Sequence, residues 1–276
     1  MSYIIPPPIK IEFPEQVALS DSIGGSRSDV AASELAVKLL ADQMRALGMT
    51  NLLINPRGKI NQANESDGVI AAGDYFCDGW KAGANGAEVY RLADGGFDLR
   101  SGSIVQLVPN DLEASRLVRT NLDVIAGSPV MKVNGAAEKA AAGAGAYIEI
   151  EVSGDNSKFN RLVAAASTAK PIYQQLADEL SPCLRFYFEV KQKRIDGSCY
   201  SSGYCNIDIA DFPIEMHDVP ACVLQVHGGT YANGYTEINT RINAGKKWVT
   251  AIIRNIHMAS GENSYVIVSL VADSRP

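Results

Sequence analysis

Residues 51–62 read "NLLINPRGKINQ". Leu52, Leu53 and Ile54 have the character of a strand, Asn55-Pro56 breaks it, and a short second run, residues 59–62, follows at once. On the N-terminal side of this stretch apolar residues fall at helical spacing. On the C-terminal side they alternate. The stretch therefore marks the passage from a helical segment into a β-rich body.

The helical side is "SDVAASELAVKLLADQMRALG", residues 28–48. Ser28 or Asp29 is placed to cap its start and Gly48 to end it. Val30, Val37 and Met44 lie seven apart, as do Ser33, Leu40 and Leu47, which makes an a/d seam of not quite three heptads. A helix this short is marginal alone in water, so the seam predicts self-association through Val30, Val37, Leu40, Met44 and Leu47. Leu35 and Leu39 lie off the seam and support the alternative, an amphipathic helix lying on its own domain. Residues 1–27 have the composition of an arm. "IIPPPIK" is a polyproline segment and "LSDSIGGSRSD" a Ser/Gly/Asp linker, so the arm is a docking peptide ordered on a larger assembly or else a disordered terminus.

Beyond Gly48 the period is two. "YIEIEV" sets Ile148, Ile150 and Val152 against Glu149 and Glu151, and "FYFEVK" sets Phe186, Phe188 and Val190 against Tyr187, Glu189 and Lys191. "TEINTRI" sets Ile238, Thr240 and Ile242 against Glu237, Asn239 and Arg241. One apolar and one wet face predict antiparallel sheet. Turn signals such as "ADGG", "VNG", "SGDN", "IDGS" and "ANGY" separate the runs, as in sandwiches and barrels. "KPIYQQLADEL", residues 170–180, is expected to form a short helix at the seam between two β modules.

The chain of 276 residues is 46% hydrophobic, enough for one large core or two ordinary ones. With 20% charged residues and a net charge of −6, a nucleic-acid grip is not expected. The first residues lack the basic and apolar regions of a secretory signal, and no run reaches the ~18 apolar residues of a membrane helix. Five cysteines without a dense pattern predict free, mostly buried thiols made in a reducing cytosol. Cys199 and Cys205 in "CYSSGYC" form the one close pair. They are expected in a loop as thiols, with a bridge across a hairpin as the alternative.

Catalytic signatures are missing. No GxSxG elbow, HExxH pair or phosphate loop occurs, and "GAGAY" and "GANGAE" lack the strand-loop-helix setting of a dinucleotide site. Asp74 and Asp78 could serve a glycosidase, but a solvated turn is the simpler reading of such a pair. His217, His227 and His257 have no metal-ligand spacing, and neither metal nor cofactor is expected.

Several stretches together resemble the receptor-binding tail fibres of tailed bacteriophages. "LSDSIGGSRSDVAASELAVKLLAD" is similar to the Ser/Asp-rich collar and short helix before the β tip of such fibres. "NLLINPRGKINQ" followed by "AAGDYFCDGWKAG" resembles the opening of the family's jelly-roll module, which often reads NLLINPxFxINQRG and then Y-x-x-DRW. Here Gly58 stands for the aromatic, Ala63 for the arginine after Gln62, and Gly79 for the arginine before Trp80. "SGSIVQLV" resembles the strand that follows. "LADELSPCLRFYF" resembles the junction E-L-x-x-C-x-R-Y-Y through Glu179, Leu180, Cys183, Arg185 and Tyr187. "FPIEMHDVP" resembles F-P-V-x-M-R-x-x-P through Phe212, Pro213, Met216 and Pro220, with His217 for arginine.

The resemblance covers residues 19–276, and its motifs mark the scaffold rather than the ligand. It implies a mainly β protein: a virion-attachment arm (residues 1–27), a short trimerising helix (28–48) and two antiparallel β-sandwich, jelly-roll-like modules (49–175 and 176–276). Leu52 and Ile54 would pack inward, Asn55-Pro56 would turn the chain at a sheet edge, and Trp80 would be a core or module-packing residue rather than a sugar platform. The implied protein is a homotrimeric fibre or tip of the virion, synthesised in the host cytoplasm. Its arm would meet a tail or baseplate protein, and its tip would bind host-surface glycan without turnover. The alternatives are a capsule- or polysaccharide-degrading tailspike, whose repeated β-helix strands the chain lacks, and a purely structural virion decoration. Candidate glycan contacts are Tyr200 and Tyr204 in "DGSCYSSGYCN", Tyr231, Asn233 and Tyr235 in "GGTYANGYTE", and His227 nearby. Rings can stack on a sugar while hydroxyls and amides read its hydroxyl groups, or the tyrosines pack across strands as aromatics in sheets do.

Overall fold

The structure, a computed structural model, describes residues 18–22, 30–47, 50–201, 204–229, 239–254 and 263–276. The chain divides into two compact units, Met1–Gly48 and Met49–Pro276. In the first, β1 (Ala18–Ser20) pairs in parallel with β2 (Val30–Ala32), and α1 (Glu34–Leu47) follows. The helix therefore starts later than the expected 28–48. Its cap is Ser33, whose Oγ accepts from Ala36 N at 3.1 Å and donates to Asp21 Oδ1. Ser33 N also donates to Ser20 O, so the strand pairing runs up to the cap and holds Val30 in β2, off the helical seam. The seam reduces to Val37, Leu40, Met44 and Leu47. Val37 and Leu40 are exposed in the single chain, as are Leu35 and Leu39, while Ala36 is buried. The polyproline part of the arm lies outside the described residues.

Residues 51–62 contain no strand. They form a strap tied near its start to two sheet strands: Leu52 N donates to Ala164 O and Ile54 N to Gln106 Oε1. Without strand alternation, Leu53 is the buried residue, and Leu52 and Ile54 are only half-buried. Pro56 is buried too, and its carbonyl accepts from Leu162 N of the sheet at 3.3 Å. Asn55 is buried with φ +47, a left-handed backbone that asparagine tolerates better than most residues. Its Nδ2 donates to Ile60 O and Asp78 O, its Oδ1 accepts from Ile60 N, and its carbonyl accepts from Trp80 Nε1 at 3.0 Å. Asp78 is a buried acceptor for Gln62 N and Nε2, which corrects the solvated turn expected for it.

That knot packs onto the first sheet. Its strands are β3 (Gly68–Ile70), β4 (Tyr75–Cys77), β5 (Trp80–Arg91), β6 (Phe97–Pro109), β7 (Leu117–Ala126), β8 (Val130–Val133), β9 (Ala136–Ala137), β10 (Lys139–Ala141), β11 (Tyr147–Ser153) and β12 (Ser157–Ala166). The order is β10-β7-β12-β6-β11-β8-β9, and β5 joins β6 while carrying β3 and β4, all antiparallel. In β11, Ile148, Ile150 and Val152 are buried against an exposed Glu149, as the alternation predicted. Phe76, Trp80 and Phe159 each pack against Phe97, edge-on or tilted, with centroids 5.5–5.9 Å from its own. Fully burying each such ring contributes roughly 1.5–3 kcal/mol. Trp80 thus belongs to the core. Gly58, φ +64, stands where the resemblance has an aromatic, and a Cβ there would lie 2.5 Å from Phe97 Cε1, so the Phe97 ring occupies that space.

The expected helix over residues 170–180 is absent. Asn121 Nδ2 holds Pro171 O and Arg119 Nη1 holds Thr168 O, which keeps the connection extended until Asp178 Oδ1 accepts the Leu180 and Ser181 N–H groups. Only α2 (Leu180–Leu184) forms. Then come β13 (Tyr187–Ser201), β14 (Tyr204–Asp211), β15 (Ala221–Gly229), β16 (Asn239–Ala244), β17 (Trp248–Arg254) and β18 (Asn263–Asp273), ordered β15-β18-β13-β14-β17-β16 and antiparallel. All six strands contribute to one core around Ile209, Met216, Ala251 and Leu270, so this sheet folds over on itself.

The two sheets meet at a polar junction. Arg275 lies between the Tyr75 and Tyr187 rings, 4.3 and 4.8 Å from their centroids, and pairs with Glu65 at 2.6 Å and Asp273 at 2.8 Å. Burial alone would lower the Arg275 pKa. The hydrogen bonds to Asp273 and Glu65 overcome it and keep the guanidinium charged. Gln62 Nε2 donates to Tyr187 O, Arg57 pairs with Glu179, and His217 Nε2 lies 3.0 Å from Tyr147 Oη. Cys77 and Cys183 are buried free thiols whose pKa values burial raises, and Cys222 is half-buried.

Two outcomes follow from this packing. Asn55→Ala strands the Ile60 and Asp78 carbonyls and forces alanine to positive φ, so urea denaturation should show a loss of about 2–4 kcal/mol. His217 has its pKa lowered by burial, then by Arg185 and Lys246. The unfolded chain therefore binds the proton first, and stability falls as pH drops through the ordinary value of 6.5. The urea midpoint of the natural protein should fall between pH 7 and pH 5 more than that of His217→Gln; equal falls would contradict it.

Candidate functional site

The outward residues of β13 are Tyr187, Glu189 and Lys191, and those of β18 are Asp273, Val271 and Ser269, since Val268, Leu270 and Ala272 enter the core. The register pairs Tyr187 with Asp273 and Glu189 with Val271. One end of this face, Tyr187 and Asp273, is covered at the Arg275 junction. The other end is open and forms a depression of about 510 Å³, whose third wall is Val223, Gln225 and His227 of β15.

Two bulges shape it. The register slips between Val190 and Lys193 in β13 and between Val226 and Gly228 in β15. The extra residues, Gln192 (φ +46) and His227, sit on either side of Ser269. Gln192 N donates to Ser269 Oγ at 3.0 Å, and His227 Nε2 lies 2.7 Å from the same oxygen. Bulges of this kind re-aim side chains, and here they converge three polar groups on one point of the sheet's outer face. Lys191 Nζ pairs with Glu189 Oε2 at 3.1 Å. Val223, 67% exposed, supplies apolar footing at the edge.

Other depressions are less suited to a ligand. One in the first sheet, beside Thr120, Asn121 and Lys170, is smaller, about 170 Å³. One at the junction, about 20 Å³ beside Leu52, Ile54 and Pro109, has room for about one water. Among the described residues no group of three His, Cys, Asp or Glu is placed to hold a metal ion.

Of the residues expected from sequence, His227 is at the site. Tyr200 and Tyr204 lie on β13 and β14 rather than on a turn, because the strands stay paired out to Ser201 and Tyr204. Cys199 stands directly opposite Cys205 in the same ladder, which corrects their placement in a loop. Tyr231, Asn233 and Tyr235 lie outside the described residues. Sequence reasoning missed Ser269, Gln192, Gln225 and Glu189. In "VIVSLVA", residues 266–272 of β18, Ser269 is the one polar residue in an apolar run, a signal that could have marked it; the bulge at Gln192 has no such mark.

No protein-family model and no curated protein matches the chain. Among solved structures, recombinant discoidin II of Dictyostelium discoideum is similar at 12% identity over 83% of this chain and 100% of that one, with a TM-score of 0.23. The wild-type discoidin II structure is similar at 12% identity over 82% and 92%, also with a TM-score of 0.23. A likeness this low carries no argument about fold or site.

Proposed function

We propose that the chain is a tail-fibre or tip protein of a tailed bacteriophage that attaches the virion to host-surface glycan by multivalent, non-catalytic binding. The depression around Ser269 carries the binding part. Its hydroxyl, amide and imidazole groups converge beside an exposed valine, a set that can read sugar hydroxyls over an apolar footing. The virion part rests on the motif resemblance. The residues behind it (Asn55, Gln62, Trp80, Glu179, Cys183, Tyr187) meet in the strap and the junction between the two sheets, as scaffold residues should.

Three chains would join through Val37, Leu40, Met44 and Leu47, with residues 1–27 holding a tail or baseplate protein. Three weak sites on one tip raise avidity by roughly 10²–10⁴ over a single site. Tyr200, Tyr204, Tyr231, Asn233 and Tyr235 enter this proposal from sequence alone; Tyr231 follows the end of β15 by two residues.

Labelled protein should bind a subset of a panel of bacterial strains. The double variant His227→Ala, Ser269→Ala should lose that binding, with the light-scattering mass of three chains and the melting temperature nearly unchanged. A double variant that binds as the natural protein does would contradict the site. Release of new reducing ends from host polysaccharide would replace binding with cleavage, and a stable monomer at micromolar concentration would contradict the trimer.

A further inference from the structure

We infer that Glu189 sets the charge class of the ligand, so that the depression takes a neutral, hydroxyl-rich glycan and discriminates against acidic ones. The inference rests on the glycan-binding proposal above. Lys191 is the one ordinary cation lining the depression, and Glu189 Oε2 is 3.1 Å from its Nζ. The two are unequally placed: the Glu189 side chain is 22% exposed and that of Lys191 71%. The negative charge thus sits in the floor, while the positive one reaches out to solvent.

The two charges offset each other, but a ligand carboxylate seated on the floor of the depression lies closer to the Glu189 carboxylate than to the outreaching Lys191 ammonium, which leaves a net repulsion there. Arg275, at the covered end of the same face, is engaged by Asp273 and Glu65 and offers no free cation to such a ligand. The rest of the lining is Gln192, Gln225, Ser269 and His227, with Val223 and Val271. Amides and hydroxyls both donate and accept, as sugar hydroxyls do, whereas a carboxylate only accepts. The net charge of −6 on each chain adds a long-range repulsion toward polyanionic glycan at low salt. Floor charge, paired cation and net charge all act in one direction.

The test uses the full-length protein and immobilised hexasaccharides of glucose, galactose and mannose, each beside its counterpart oxidised at C6 to the uronate. Wherever a neutral member binds, its uronate should bind about tenfold more weakly at low salt, the step that 1.4 kcal/mol gives. In Glu189→Gln the ratio of uronate to neutral binding should rise by about tenfold, because Lys191 is then unopposed. Uronates that bind the natural protein as well as the neutral sugars do would overturn the inference, as would an unchanged ratio in Glu189→Gln. If His227→Ala, Ser269→Ala abolishes binding while no charge preference exists, the inference alone fails. If no glycan binds at all, the glycan proposal fails and takes this inference with it.

Discussion

A buried asparagine amide has to be satisfied, and the body of the chain is arranged around how that happens. Asn55 is 1% exposed, and a side-chain amide left unpaired in such a place costs on the order of 1–3 kcal/mol. Its donors reach Ile60 O and Asp78 O, and its oxygen takes Ile60 N. Closing those bonds folds residues 55–60 into a tight loop and brings the β4–β5 turn against it. Trp80 then donates to the Asn55 carbonyl while its ring fills the core beside Phe97. One polar requirement thus fixes the strap, a hairpin and the largest side chain of the core together.

The same strap reaches the second sheet. Gln62 holds Asp78 with two bonds and Tyr187 O with a third, and Arg57 holds Glu179 just ahead of α2. Arg275, clamped by two tyrosine rings and two carboxylates, closes the junction from the far end of the fold. Breaking such a buried pair costs more than the pair itself contributes, because the surviving charge is left in a poor solvent. The junction therefore holds the second sheet in one pose by covering one end of its outer face. Glu189, Lys191, Val271 and Ser269 continue that face into the open, so packing and binding surface are two ends of one strand register.

Much of this was legible in the sequence, for identifiable reasons. The alternations of "YIEIEV" and "FYFEVK" set the β body, and Trp80 in the core follows from indole area. The strap was misread as a strand because Leu52, Leu53 and Ile54 are apolar in a row, and periodicity cannot see that Ala164, Asn51 and Gln106 would take their backbone N–H groups. The helix start was misread because Ser28, Asp29 and Ser33 are all competent caps, and the choice of Ser33 rests on partners far upstream, Asp21 at its hydroxyl and Ser20 O at its N–H. At the site, His227 was legible as a polar residue near a turn. Ser269 carries a signal as the one polar residue of an apolar run, but its meeting with Gln192 and His227 was not legible, because it depends on two bulges, and a bulge is a register fact between strands far apart in the chain.

The most direct test of the account is where a bound sugar touches the protein. In methyl and amide NMR of the full-length chain, titration with a neutral hexasaccharide that binds should perturb Val223 and Val271 methyl groups and the Ser269 and Gln225 amides in a concentration-dependent way. Signals of Val124, Val130 and Met131 beside the first-sheet depression should stay in place. Perturbation confined to the first sheet, with the outer face of β13, β18 and β15 silent, would contradict the account.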